Sequence, residues 1–341
     1  MAQDALLYKS LKEKDVQCGC CAHRCYLKPG EKGKCLVRYN QEGILKTLAY
    51  GNLIAQHVDP IEKKPLYHFY PGSLAYSIAI AGCNFSCQWC QNWEISQLPR
   101  LNFEMSGINT SPDEVVKRTL AQQCTSIAYT YTEPTIFFEY SYETSKLARN
   151  AGLKNIYVTN GYMTEEMLDL YHPWLDAANV DIKAFSDATY QKYIGAHLRP
   201  VLETCSMMKK KGIWLEITTL IIPGINDDLS EIRDLASYIR NELGEGIPWH
   251  ISRYYPNYNF QNIPATPIKT LKQIEAIGKE AGLNYVYIGN ASPESVTKCP
   301  KCGEILIRRW GSQIVLDKVT KESTCPKCDF VIEGVGLSID N

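Results

Sequence analysis

Twelve of the fourteen cysteines in this 341-residue chain fall into three groups. The middle group, Cys83-Asn84-Phe85-Ser86-Cys87-Gln88-Trp89-Cys90, has the spacing C-x3-C-x2-C. Three thiolates on so short a loop can each take one corner of a [4Fe–4S] cube, whereas an electron-transfer cluster needs four. No fourth cysteine lies nearby, so one iron would stay open to a small-molecule ligand. A zinc site completed by a distant ligand, or three unligated thiols, is the plainer reading of the same residues. The C-terminal group, Cys299, Cys302, Cys325 and Cys328, forms two C-P-x-C knuckles. That pattern gives tetrahedral S4 coordination, as in a zinc ribbon or a rubredoxin-like iron site, zinc being favoured. The segment is too small to fold well on its own core, so a metal is its expected staple. The N-terminal group fits C-x2-C-x3-C-x9-C through Cys18, Cys21, Cys25 and Cys35, with Cys20 as a spare. Iron, zinc or an auxiliary Fe–S cluster all suit those ligands; His23 is a weaker candidate. Cys124 and Cys205 stand alone, and both are expected as small buried hydrophobes in amphipathic helices.

The elements that must position the middle group show a strand–helix rhythm. Strand-like apolar runs occur at 75–81, 126–131, 155–159, 178–182, 214–222 and 249–253. Helical patterns lie between them, at about 135–151, 164–171, 200–211, 230–243 and 267–281. One begins with a capping box at Ser111-Pro112-Asp113-Glu114, and Gly152 supplies a C-cap to another. Six strands alternating with helices predict a parallel α/β sheet, open or closed. In either form function collects at the C-terminal ends of the strands. The cysteine loop follows the first strand directly. The boundaries read as 1–71 for a Cys-rich segment, 72–292 for the sheet and 293–341 for the tail.

Polar residues recur at the later strand ends. Tyr129-Thr130-Tyr131-Thr132-Glu133-Pro134 follows the second strand, and Glu133 is either a ligand-facing carboxylate or a cap for the next helix. Asn160-Gly161 follows the third and suits hydrogen bonding to a ribose or carboxylate, or plain turn chemistry. Asp181 and Lys183 alternate onto one face of the fourth strand, costly inside a barrel unless paired or bound to something polar. Glu216 lies on the fifth strand. His250, Ser252 and Tyr254 alternate on the sixth, as the polar lining of a pocket would. Residues 51–72 read as a structured linker or as the mouth of the site.

The cysteine loop after the first strand, with Trp89 before the third cysteine, resembles the radical S-adenosylmethionine (SAM) superfamily. The resemblance implies a partial (β/α)6 TIM-like barrel, with the N-terminal Cys-rich segment and the ribbon as additions. It implies a [4Fe–4S] cluster whose open iron is chelated by SAM, and reductive cleavage of SAM to a 5′-deoxyadenosyl radical. It places Glu133 where the superfamily has a Gly-Gly-Glu-type motif, although Tyr131 and Thr132 replace both glycines. Asp181 and Lys183 resemble the D-x-K motif of the glycyl-radical activating branch, and Pro223-Gly224-Ile225-Asn226-Asp227 its P-G-x-N-D turn. Glu133, Asn160, Asp181, Lys183, Glu216 and His250 are thus the expected SAM-site residues; no catalytic residue is assigned. More closely, Asp59-Pro60-Ile61-Glu62-Lys63-Lys64-Pro65-Leu66 and Cys90-Gln91-Asn92-Trp93-Glu94-Ile95-Ser96-Gln97 are similar to the AmmeMemoRadiSam-system radical SAM enzyme, a pyruvate formate-lyase activating enzyme-like family. Memo-type and AMMECR-type proteins are the partners this implies.

Three functions follow as expectations. The first is modification of a protein or peptide by hydrogen abstraction, fed by a reductant such as ferredoxin or flavodoxin. The second is a cobalamin-dependent C-methylase, suggested by resemblance to a methanogen arginine C-methyltransferase with a similar N-terminal iron loop; cobalamin would then be a cofactor, although no separate domain for it is visible. The third is a non-enzymatic metal-ribbon binding protein. With 36 basic and 37 acidic residues, the net charge of −1 argues against nucleic-acid binding by bulk charge. No apolar run approaches the roughly 18–20 residues of a membrane span, and no secretory signal is visible. The expected location is cytoplasmic, where clustered cysteines read as metal ligands before disulfides.

Overall fold

The computed structural model describes residues 2–101 and 106–338. Its centre is a nine-stranded sheet. In chain order the main strands are β1 (Asn52–Pro60), β2 (Leu74–Ile80), β3 (Ser126–Tyr129), β4 (Lys154–Thr159), β5 (Ala177–Asp181), β6 (Trp214–Ile221), β7 (Trp249–Arg253) and β8 (Val286–Gly289). They lie in the order β8-β7-β6-β5-β4-β3-β2-β1, with the short strand Ile108–Asn109 on the outer edge of β1. Strands β2 to β8 are all parallel, and β1 runs antiparallel to β2. The parallel strands are apolar along most of their length because helices cover their outer face, leaving neither face in water.

The helices are α1 (Pro112–Ala121), α2 (Phe138–Asn150), α3 (Glu165–Tyr171), α4 (Leu198–Lys210), α5 (Leu229–Tyr238) and α6 (Ile268–Glu280). The capping box forms as expected: Ser111 Oγ accepts the Glu114 N–H at 3.3 Å. Gly152 ends α2 at φ +79°.

The sequence reading needs three corrections. The parallel run has seven strands, not six, because the short β8 joins it. The segment 51–72, read as a structured linker or as the mouth of the site, contains β1, and residues 61–68 then cross the inside of the barrel as its floor. Asn179 Nδ2 donates to the Pro65 carbonyl at 2.8 Å, and Glu216 accepts the amides of Tyr67 and His68 at 3.0 and 2.8 Å. Cys124 is buried but lies between α1 and β3, outside any helix; Cys205 is on α4.

The tail is built into the barrel rather than hung from it. Its three antiparallel strands, β9 (Glu294–Lys298), β10 (Ile305–Trp310) and β11 (Gln313–Asp317), share an apolar core with Tyr285 and Tyr287 of the barrel. Arg309, wholly buried, donates to the Tyr67 carbonyl at 2.7 Å and to Thr297 at 2.9 Å, and faces Glu62 at 3.6 Å. Val335 forms an isolated parallel β-bridge with Phe69. The ribbon thus fills the side that the partial barrel leaves open between β8 and β1. Residues 339–341 of the tail lie outside the described residues. Among the described residues no helix is long and apolar enough to cross a membrane.

The N-terminal segment packs on the opposite flank. Arg38 and Glu139 form a buried pair at 2.5 Å, Thr164 Oγ1 donates to the Gly19 carbonyl at 2.6 Å, and His23 Nε2 lies 2.9 Å from the Asn84 carbonyl.

Candidate active site

The loop after β2 carries Cys83, Cys87 and Cys90 to one cavity of about 670 Å³ inside the barrel. Residues 190–195 brace that loop from behind. Ser86 N donates to the Ile194 carbonyl at 2.9 Å and Gln88 N to the Tyr193 carbonyl at 3.1 Å. Gly195, at φ +78°, comes so near that a Cβ would sit 2.6 Å from Ser86 Oγ.

Hydrogen-bond donors surround the sulfurs. Phe85 N donates to Cys83 Sγ at 3.3 Å, and Ser96 Oγ stands 3.1 Å from Cys90 Sγ. Burial pushes the free Cys83 thiol well above its usual range and Cys87 to about 12. Such thiols give up their protons to a metal, which needs the thiolate. A single ion bound at about 2.3 Å to each sulfur draws its ligands close together. Among the described residues only Cys299, Cys302, Cys325 and Cys328 do so, their ligand atoms lying within 4.8 Å of one another. This group fits a zinc ribbon. Cys83, Cys87 and Cys90 do not reach that single-ion spacing. Cys18, Cys21, Cys25 and Cys35 line one small pocket with Cys20, also without closing to single-ion spacing. Cys20 Sγ donates to the Thr135 carbonyl at 3.1 Å.

Five of the six expected SAM-site residues line the cavity: Glu133, Asn160, Asp181, Lys183 and His250. Glu133 is heavily engaged by the protein. Oε1 accepts from Thr135 N, Thr135 Oγ1 and Thr159 Oγ1 at 3.0, 2.5 and 2.7 Å, and Oε2 accepts the Asn160 amide at 2.8 Å. It therefore caps the 3-10 turn Pro134–Phe137 as well as facing the cavity. Asn160 Nδ2 donates to Asn84 Oδ1 at 2.7 Å, tying the end of β4 to the cysteine loop. Lys183 and Asp181 pair at 3.0 Å. Burial opposes the Lys183 charge, but Asp181 and Cys87 outweigh it and hold the ammonium protonated.

Glu216 is not brought to the cavity surface. It is fully buried, and besides the amides of Tyr67 and His68 it accepts Trp214 Nε1 at 3.1 Å and His250 Nε2 at 2.6 Å. Burial alone would raise its carboxyl; His250, with help from His68 and the Tyr67 amide, holds it below the usual range. Tyr254 also lies off the cavity, its hydroxyl on the Phe260 carbonyl.

The cavity also contains residues that were not singled out beforehand, among them Asn179, Thr218 and the ribbon's Ser295, Gly311 and Ser312. Asn179 and Thr218 were accessible to the alternation argument, each being two positions from a chosen residue on the same strand. The ribbon residues carried no such signal, since only the tertiary fold brings them there. Tyr131 takes φ +63°, the backbone conformation a glycine there would supply. Its hydroxyl donates to Asp59, which also accepts Lys64 Nζ at 2.8 Å, and Lys64 stands 4.4 Å over the Tyr131 ring.

A family model for the radical SAM superfamily matches residues 77–236. An uncharacterised protein of Methanocaldococcus jannaschii is 43% identical over 336 residues, covering 97% of this chain and 99% of the relative. A protein of the same organism, provisionally named as a glycyl-radical enzyme activating enzyme, is 28% identical over 213 residues, 60% of this chain and 75% of its own. The pyruvate formate-lyase-activating enzyme of Clostridium pasteurianum is 24% identical over 221 residues, 58% and 87% of the two chains. The fold, the three-cysteine loop and these matches together place the chain in the radical SAM superfamily, with activating enzymes among its relatives.

Proposed function

We propose that this protein cleaves SAM to modify a protein or peptide by hydrogen abstraction, in the manner of the glycyl-radical activases. The observation that carries the reading is that one cavity joins the three-cysteine loop to the Asp181–Lys183 pair. When bound, a [4Fe–4S] cluster with SAM on its open iron supplies the electron that breaks the sulfonium C–S bond. Cys83, Cys87 and Cys90 would hold the cluster. The Lys183 ammonium suits the SAM carboxylate, Asp181 its ammonium, and Asn160 its ribose or carboxylate. The floor and the ribbon wall shield the space between from water. A ferredoxin- or flavodoxin-type protein would be the reductant. Memo-type and AMMECR-type proteins, implied by the sequence resemblance, are tested as partners by co-elution of the purified proteins.

The test is anaerobic reconstitution, reduction, and EPR with and without SAM, alongside a 5′-deoxyadenosine assay. The expected result is a reduced-cluster signal that changes on adding SAM, with release of the nucleoside. A cluster indifferent to SAM, or zinc in place of a cluster, overturns the reading.

A further inference from the structure

Beneath the lining of the cavity floor lie buried polar atoms that the protein leaves without partners. Asn179 on β5 and Thr218 on β6 both line the cavity, and they are 1% and 7% exposed. Asn179 Nδ2 is committed to the Pro65 carbonyl, while Asn179 Oδ1 and Thr218 Oγ1 have no protein partner. Buried polar atoms are rarely left so. The sheet register sets Thr218 between Asp181 and His250. Glu216 fixes His250 by accepting from Nε2 at 2.6 Å. An ionised carboxylate only accepts, so Nε2 carries a hydrogen.

Most charges around this floor have an opposite charge beside them. Asp181 pairs with Lys183 and Glu62 with Arg309, while Lys63 and Lys64 share the one carboxylate of Asp59, Lys63 from the solvent side. Glu62 Oε2 and Arg309 Nε also lack hydrogen bonds, but they belong to one ion pair and neutralise each other. What remains on this floor without a partner beside it is one amide acceptor and one hydroxyl that can donate.

We propose that Asn179 and Thr218, beside His250, form a subsite for an uncharged amide of the substrate. Asn179 Oδ1 accepts its N–H, and Thr218 Oγ1 donates to its carbonyl. This rests on the reading of the protein as an enzyme acting on a protein or peptide, and it assigns the backbone amide, or a side-chain carboxamide, as the group recognised. Glu216 is then a positioning residue for His250 rather than a SAM contact.

The test uses the reconstituted full chain with SAM, and two probes followed by ligand-observed NMR. One is N-acetylglycine N′-methylamide; the other is methyl acetoxyacetate, its N–H-free ester analogue. The amide is expected to bind at least tenfold more tightly than the ester. Thr218→Val, which keeps the shape and removes the hydroxyl, is expected to weaken the amide about fivefold and leave SAM affinity within twofold. Equal binding of amide and ester by the wild-type protein overturns the proposal, whether or not the variant folds. So does an equal loss of SAM and amide affinity in the variant, which would give Thr218 to the SAM site. SAM cleavage is measured on the same preparation. Cleavage without amide selectivity removes only the subsite; selectivity without cleavage removes the enzymatic reading and keeps the subsite.

Discussion

Tyr131 occupies backbone space that ordinarily asks for glycine. Such strain persists only where the surroundings over-determine it, and here Asp59 and Lys64 grip the Tyr131 ring and hydroxyl. The motif difference noted in the sequence is therefore a change of side chain on a backbone shape that glycine would allow. Cys87 shows the opposite economy, a buried thiol with little to do unless a metal takes its proton. Cys87→Ala is expected to lower reconstituted iron and abolish any SAM-responsive EPR signal; iron analysis and EPR check it. His68 gives a pH prediction. Burial lowers its pKa from 6.5 to about 4, and its ring lies 2.6 Å from both the Glu333 carbonyl and the Tyr287 hydroxyl. Glu216, His250, Arg309 and Tyr285 also stand around it. As pH falls from 6.5, the unfolded chain binds a proton that the folded ring refuses, so stability drops until about pH 4. Between pH 6.5 and 5 this one group should cost about 1.5 kcal/mol. Denaturant unfolding at the two pH values checks it, and His68→Gln is expected to flatten the slope.

Elements divide by how local their instructions are. Helix α1 announces itself through Ser111 and Glu114, and Ser111→Ala should cost about 1 kcal/mol in thermal or denaturant unfolding. The parallel strands were legible because each is a continuous apolar run, and the candidate site because polar residues interrupt those runs at their ends. Strand β8 was missed: it is four residues long, and its Tyr287, with Tyr285 just before it, packs in the ribbon's core rather than against water. Strand β1 was missed because its hydrogen bonds go to β2 at long range and it ends in Pro60. Glu216 was expected at the SAM site, yet its oxygens hold the floor, something no strand pattern reports. Gly195 offered no pattern either, since its closeness to Ser86 exists only in three dimensions. Gly195→Ala is expected to displace the cysteine loop and lower the iron retained after desalting, with helix content by circular dichroism unchanged.

In the whole molecule, three cysteine groups became one barrel with two flanks fastened by buried charges. Arg309 is the fastening on the ribbon side. Arg309→Met leaves Glu62 buried without its cation and should cost about 3–5 kcal/mol; unfolding midpoints at pH 7 check it. Removing the ribbon metal with a chelator is expected to make the chain cleavable near residue 293 and to weaken the amide probe before it affects SAM. The floor and its fastening are far apart in the chain: Tyr67 and Arg309 are 242 residues apart, and His68 and Glu333 are 265 apart. At roughly 5–20 residues per second of synthesis, Tyr67 is made roughly 12 to 48 seconds before Arg309. The floor and the cysteine loop are therefore both synthesised before the ribbon that fastens them.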